Sequence, residues 1–320
     1  MKLTFVTLAA CVLIASPLSA AEPRVAFQDN PTDGEMHIVV DGQDALVYQY
    51  REGQDLVHFF PVRSPFGQSM TAQKAEPNPH HRSLWFVDMV KLDGGRPVNY
   101  YLALYSGSER SIDSKPPYKD HVRHLAFEAG KVEKDRAELT AQLIWECDGD
   151  RPVLDELRSM RVVALGEGQW LLDITFTLTA SYGDLEFVSD ERHYGWPYVR
   201  MNSTFSVEGG GTITSSEGGV NQAGTDGRNA RWIDYVNTVD GKTSGLAIFA
   251  HPGTGPESPK WLTRDYGCFG PRRADEKSGK PFTLAKGESI SQRVGILVHR
   301  GDTKAGKVAD RYAAFVADDL

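Results

Sequence analysis

Residues 137–180 read AELTAQLIWECDGDRPVLDELRSMRVVALGEGQWLLDITFTLTA. Leu139, Ala141, Leu143 and Trp145 alternate with Glu138, Thr140, Gln142 and Ile144. A period of two marks a β-strand with one face on a core. Cys147-Asp148-Gly149-Asp150 forms a turn. The next run, 154–161, alternates less cleanly, with Asp155, Glu156, Arg158 and Arg161 spread over both faces. Gly166-Glu167-Gly168 turns again, and Trp170, Leu172, Ile174, Phe176 and Leu178 alternate with Leu171, Asp173, Thr175, Thr177 and Thr179. Runs of this kind joined through Gly and Asp turns predict an antiparallel meander. One of its faces is apolar; the other carries carboxylates and threonines to solvent or to a polar cleft.

The flanking sequence extends the pattern. Upstream, 36–40 and 45–50 are β-type runs around a tight Asp41-Gly42 turn. Residues 56–62 and the aromatic-rich 99–105 predict two more strands, with a loop over 106–119. Downstream, short strands are predicted around 185–188, 198–205, 232–236, 246–250 and 289–298, separated by glycine-rich joins at 208–211 and 218–227. Only the end differs: Val308, Tyr312 and Phe315 fall at helical spacing. The chain has no internal repeat, heptad or low-complexity block. The expectation is an all-β fold, a large antiparallel β-sandwich with one C-terminal helix, formed by residues 22–320 as a single domain.

The first 21 residues read differently. Lys2 precedes an apolar run over 3–14, and small residues close the segment to Ala21. This predicts a secretory signal peptide cleaved after Ala20 or Ala21. A membrane anchor is the alternative, but the run is short for a bilayer and Pro17 interrupts its end. A periplasmic or secreted protein with no membrane segment after cleavage is expected. The net charge of −8 argues against a nucleic-acid binder, which needs a basic face. Cys147 and Cys268 leave a disulfide and two buried thiols equally open.

Chemistry concentrates in Pro77-Asn78-Pro79-His80-His81-Arg82-Ser83-Leu84-Trp85-Phe86. Two prolines hold the backbone extended. If strand pairing begins here, His81, Ser83 and Trp85 share one face and His80, Arg82, Leu84 and Phe86 the other. Burying Leu84 and Phe86 then points His81 and Trp85 to the opposite side. An imidazole, a bidentate anion binder and a flat aromatic suit a polar, ring-shaped ligand. The plain alternative is that both histidines bond to backbone and Trp85 fills core. Asp190-Glu191-Arg192-His193-Tyr194-Gly195-Trp196-Pro197-Tyr198 is a second cluster, in which His193, Glu191 or a tyrosine could work as acid or base, or a surface loop could hold local ion pairs. In Trp261-Leu262-Thr263-Arg264-Asp265-Tyr266-Gly267, preceded by His251-Pro252, Arg264 could hold an anionic group and Tyr266 donate a proton. The alternative there is an Arg–Asp pair beside a packed Tyr. Trp232 and Asp234 form a weaker group that also reads as core plus turn. His80, His81, His193 and His251 have no diagnostic metal spacing, so neither metal nor cofactor is expected.

Pro79-His80-His81-Arg82-Ser83-Leu84-Trp85-Phe86, Trp232-Ile233-Asp234-Tyr235, His251-Pro252 and Arg264-Asp265-Tyr266-Gly267 together resemble a bacterial secreted family of unknown function labelled methane oxygenase PmoA. The likeness runs over nearly the whole mature chain. It implies an association with polysaccharide-degrading systems and a shape similar to the galactose-mutarotase-like supersandwich. With no spanning segments a membrane methane oxygenase is not implied. The resulting expectation is an exported carbohydrate-active lyase, hydrolase or epimerase working on a saccharide by acid/base chemistry. His81 or His80 would be the base, Tyr266 the proton donor, and His193 a further acid/base group. Arg82 and Arg264 would hold an acidic or hydroxyl group and Trp85 would stack on the ring, with Trp232, Asp234 and His251 as further substrate contacts. The alternative is a non-catalytic glycan-binding protein using the same cleft.

Overall fold

The computed structural model describes residues 22–105, 116–188, 195–254, 258–273 and 281–320. The expected signal peptide lies outside them. Among the described residues the meander is the backbone of a nine-stranded antiparallel sheet. Arg136–Cys147, Arg151–Gly166 and Gln169–Thr179 pair in sequence. Ser289–Arg300, Lys242–Ala250, Trp232–Val239 and Thr212–Ser215 continue the sheet on one side, His121–Phe127 on the other, and Lys131–Val132 pairs alongside Arg136–Cys147. The blurred middle run has a cause. Glu156 and Arg158 both point inward with Leu154, Met160 and Val162. The carboxylate accepts from Arg158 Nε at 2.7 Å and from Trp145 Nε1 at 2.8 Å, and the guanidinium lies 5.1 Å from the centroid of Phe176. An inward charge is tolerated when paired and hydrogen-bonded.

The opposing eight-stranded sheet runs, in spatial order, Val25–Asn30, Glu35–Val40, Gln43–Gln49, His58–Val62, Leu84–Trp85, Tyr198–Arg200, Cys268–Pro271 and Trp261–Thr263. Asp41 and Gly42, both at positive φ, make the first tight turn where the sequence predicted it. Met36, Ile38, Tyr48, Phe59, Leu84 and Val199 face the core. The stacked pair of Phe86 and Phe176, 4.1 Å between centroids, joins the two layers. A four-stranded sheet of Phe282–Leu284, Leu185–Phe187, Met89–Leu92 and Val98–Asn99 lies beside them. The fold is an all-β antiparallel sandwich.

The C-terminal helix is Val308–Val316. It buries Val308, Tyr312 and Phe315 against Leu171, Trp232, Phe249 and Leu297 on the outer face of the nine-stranded sheet. Among the described residues no helix is long and apolar enough to cross a membrane. Cys147 and Cys268 are both buried, free thiols. The expected strand over 99–105 is mostly absent. Only Val98–Asn99 pairs, and Tyr100–Tyr105 winds as 3-10 helix. This spreads its tyrosines: Tyr100 packs on Trp145 in the core, while Tyr101 and Tyr105 reach the two histidines.

Candidate active site on the outer face of the eight-stranded sheet

Strand register builds one continuous row across five strands. Glu35 faces Gln49, Gln49 faces His58, His58 faces Trp85, and Trp85 faces Tyr198. Directly opposed residues share a face, so this row lies on the side turned away from the core. Leu84 and Phe86 are buried on the core side and Trp85 points outward, as alternation predicted.

His81 sits above Trp85 on this face, with ring centroids 5.5 Å apart. Its Nε2 and Tyr101 Oη share a hydrogen bond of 2.6 Å. His80 Nδ1 and Tyr105 Oη lie 3.1 Å apart, and the two imidazoles meet edge to face at 4.6 Å. Alternation had put the histidines on opposite faces. Instead His81 N donates to the Asn78 carbonyl in a turn, extended pairing begins only at Leu84, and both rings reach the same cluster.

Tyr266 stacks toward His81 at 6.4 Å. Burial first, then the nearby Cys268, pushes its phenol up to about 12, so it holds its proton at neutral pH. Arg200, whose guanidinium is 4.5 Å from the Tyr266 ring centroid, also donates to the Tyr266 carbonyl, and its charge favours the phenolate. His80, His81 and Trp85 are almost fully covered, whereas Tyr101 and Tyr266 are half-buried and carry the cluster to the surface.

The structure separates the remaining candidates. Arg82 is wholly buried and bonded to Asp55. Burial works to raise the Asp55 carboxyl, but the charge and hydrogen bond of Arg82 outweigh it and hold it below its ordinary value. That guanidinium is committed to Asp55 and is not free to hold a substrate anion. Arg264 binds Asp226 at 2.7 Å and the carbonyl of Thr263. Trp85 packs against Tyr198 and Tyr101, at 5.0 and 6.3 Å, and those two rings touch each other at 5.6 Å; the indole is buried beneath them and is not open to a substrate ring. Trp232 belongs to the core under the C-terminal helix. Asp234 is fully buried 3.1 Å from His299, where no substrate reaches it. His251 lies 3.3 Å from Arg293 and packs on Phe315, at the helix rather than the histidine cluster. His193, with Glu191, lies outside the described residues. Among the described residues no three His, Cys, Asp or Glu side chains converge as a metal set.

Tyr101, Tyr105 and Arg200 have no role in the sequence reading, and Tyr198 enters it only as the last residue of the cluster over 190–198. Tyr198-Val199-Arg200 carries a usable signal, since alternation puts its first and third residues on one face. The two tyrosines of the 3-10 turn carry none, because their placement depends on a turn that strand-like composition hides.

The model of the Family of unknown function (DUF6807) matches residues 35–313. The chain belongs to this family. The match takes in the nine-stranded sheet, all but the first strand of the eight-stranded sheet and the histidine cluster, and the family's description does not carry the methane-oxygenase label that the motifs resemble. No curated protein matches the sequence. Among solved structures, this DUF6807 chain is similar to the GH36 alpha-galactosidase AgaA from Geobacillus stearothermophilus, with a TM-score of 0.46 and 10% identity over 88% of this chain and 41% of that one. It is similar to the alpha-galactosidase from Lactobacillus brevis, with a TM-score of 0.45 and 8% identity over 88% of this chain and 40% of that one. A galactose 1-epimerase from Lactobacillus acidophilus NCFM gives a TM-score of 0.36 and 8% identity over 88% of this chain and 100% of that one. The chain spans about two fifths of the length of the alpha-galactosidases it matches.

Proposed function

We propose that this protein is an exported carbohydrate-active enzyme that works on a saccharide by proton transfer at the His81 cluster. The observation that carries the reading is the 2.6 Å hydrogen bond between His81 Nε2 and Tyr101 Oη, with Tyr266 stacked on the same imidazole. A neutral imidazole accepts a proton, and a phenol that stays protonated at neutral pH supplies one. Arg200 beside Tyr266 stabilises the phenolate that forms when that proton leaves. Tyr101 and Tyr266 are half-buried, and their exposed parts give the apolar side of a sugar aromatic surface to pack on. A base and an acid on one side of a ligand serve elimination, epimerisation or hydrolysis alike. The export reading stands on the basic, apolar and small-residue succession over 2–21.

The test is turnover. Mature protein is incubated with uronic-acid, sulfated and neutral oligosaccharides beside His81→Ala, Tyr101→Phe and Tyr266→Phe of matched melting temperature. Product from the parent, reduced about 10²- to 10⁴-fold by His81→Ala, is expected. Binding without product from any of the proteins replaces this reading with a glycan-binding one. Product undiminished by all three substitutions removes the cluster from the chemistry.

A further inference from the structure

A second feature of the same sheet face is not used by the histidine cluster. A cleft of about 460 Å³ opens over the Glu35, Gln49 and His58 part of the cross-strand row. That volume falls within the roughly 300–1,000 Å³ of small-molecule sites. The rim carries solvated charges, among them Arg51, Glu52 and Lys74. The interior is different: its polar groups are amides, one imidazole, an ion pair closed on itself and the half-buried Glu35 carboxylate, which lies 3.4 Å from His37.

Each amide is held at one end and offers the other. Gln49 Nε2 donates to the Phe60 carbonyl at 2.8 Å, and Gln54 Nε2 donates to the Gln49 carbonyl at 2.8 Å. Their Oε1 atoms have no hydrogen-bond partner shown among the described residues. Gln73 spends one amide atom on His58 Nε2 at 2.7 Å and keeps the other for the cleft. His58 closes its Nδ1 on the Leu56 carbonyl. Burial, then the charge of Arg82, pushes this imidazole down to about 4, so it is neutral at physiological pH. Arg82 and Asp55 neutralise each other in the wall. Three carboxylates and three cations line the whole cleft, so it has no net charge to attract an anion. Tyr118, largely buried, gives one wall a flat apolar face.

We propose that this cleft is a binding site for a neutral polyhydroxylated ligand: a free sugar or polyol, or one unit of a longer saccharide. A hydroxyl both donates and accepts, as does a glutamine side chain, whereas a carboxylate or sulfate finds no unspent cation inside. The site is not isolated from the histidines. His58 faces Trp85 directly in register, and the loop that presents Gln73 to the cleft presents His80 and His81 to the cluster. Within it Lys74 N donates to the His81 carbonyl at 2.9 Å. The proposal stands whether or not the His81 cluster is catalytic.

The experiment is calorimetric titration of the full mature chain with glucose, galactose, xylose, mannitol, cellotriose and galactotriose, against glucuronate and sulfate. Saturable binding of at least one neutral probe is expected, weakened about five- to tenfold by Gln73→Ala through loss of one buried hydrogen bond and changed less than twofold by His81→Ala. Affinity rising from mono- to trisaccharide identifies a unit of a longer chain, and equal affinity a free sugar. Gln54→Ala, at the half-buried edge of the cleft, carries the same test if Gln73→Ala does not fold. No saturation by any neutral probe overturns the proposal, as does tighter binding of glucuronate or sulfate. Binding abolished by His81→Ala but untouched by both glutamine variants also overturns it, while leaving the His81 cluster as the saccharide site.

Discussion

Glu156 and Arg158 show what a single charged residue costs and gives inside this sandwich. Both side chains are essentially inaccessible. Removing one partner leaves the other charge uncompensated in low dielectric, which costs about 3–5 kcal/mol. Glu156→Gln is therefore expected to lower the urea unfolding free energy by that amount at pH 7. Replacing both residues with Leu and Met is expected to recover most of the loss, because well-packed apolar groups commonly match a buried ion pair. A double variant as unstable as the single one would show that the pair is not what holds this position. The sequence displayed these two charges as noise in an otherwise regular strand. Nothing local distinguishes an inward ion pair from a solvated one, since the neighbours that decide it, Trp145 and Phe176, come from other strands.

At the scale of elements, strands were legible and their sharp turns more so. Asp41-Gly42 announced a hairpin that the structure contains. The C-terminal helix was legible from Val308, Tyr312 and Phe315, but not the surface it covers. Phe315→Ala removes its central anchor and is expected to cost about 3–5 kcal/mol, as for other buried Phe truncations, read from the thermal transition. The same layer hides Asp234 and His299, buried together. Burial opposes charge on His299, but the charge and hydrogen bond of Asp234 outweigh it, so its pKa stands above the ordinary value. A raised folded value means that the pair stabilises fully below about pH 6.5, and that this contribution is lost as pH rises through the folded value. The stability gap between the parent and Asp234→Asn is thus expected to be larger at pH 6 than at pH 9 in denaturant titrations; a gap that widens with pH would contradict the assignment. Gly270 makes a further demand, because a Cβ there would stand 2.1 Å from the Pro197 carbonyl oxygen. Gly270→Ala is expected to part the strands carrying Tyr198 and Cys268 and to lower both melting temperature and any His81-dependent activity.

Across the whole molecule, histidines held neutral inside the fold set its acid sensitivity. Burial is the main reason that His58, in the eight-stranded sheet, and His124, in the nine-stranded sheet, lie down at about 4. The unfolded chain takes up these protons near pH 6.5, so stability falls as pH drops from there toward 4. The urea midpoint is expected to decline over that window, and less steeply in His58→Gln; an equal slope would show that His58 does not contribute. The sequence by itself determined the all-β class, the meander, the first hairpin, the terminal helix and the outward turn of Trp85. These follow from alternation and turn chemistry, which act between residues a few positions apart. Only the tertiary structure decided that Arg82 is spent on Asp55 and Asp234 on His299, partners 27 and 65 positions away. Likewise Tyr101 and Arg200, rather than Arg82 and Arg264, complete the histidine cluster. The strength of a charge or a hydrogen bond depends on burial and on which distant group meets it, and both quantities exist only once the sheets have closed.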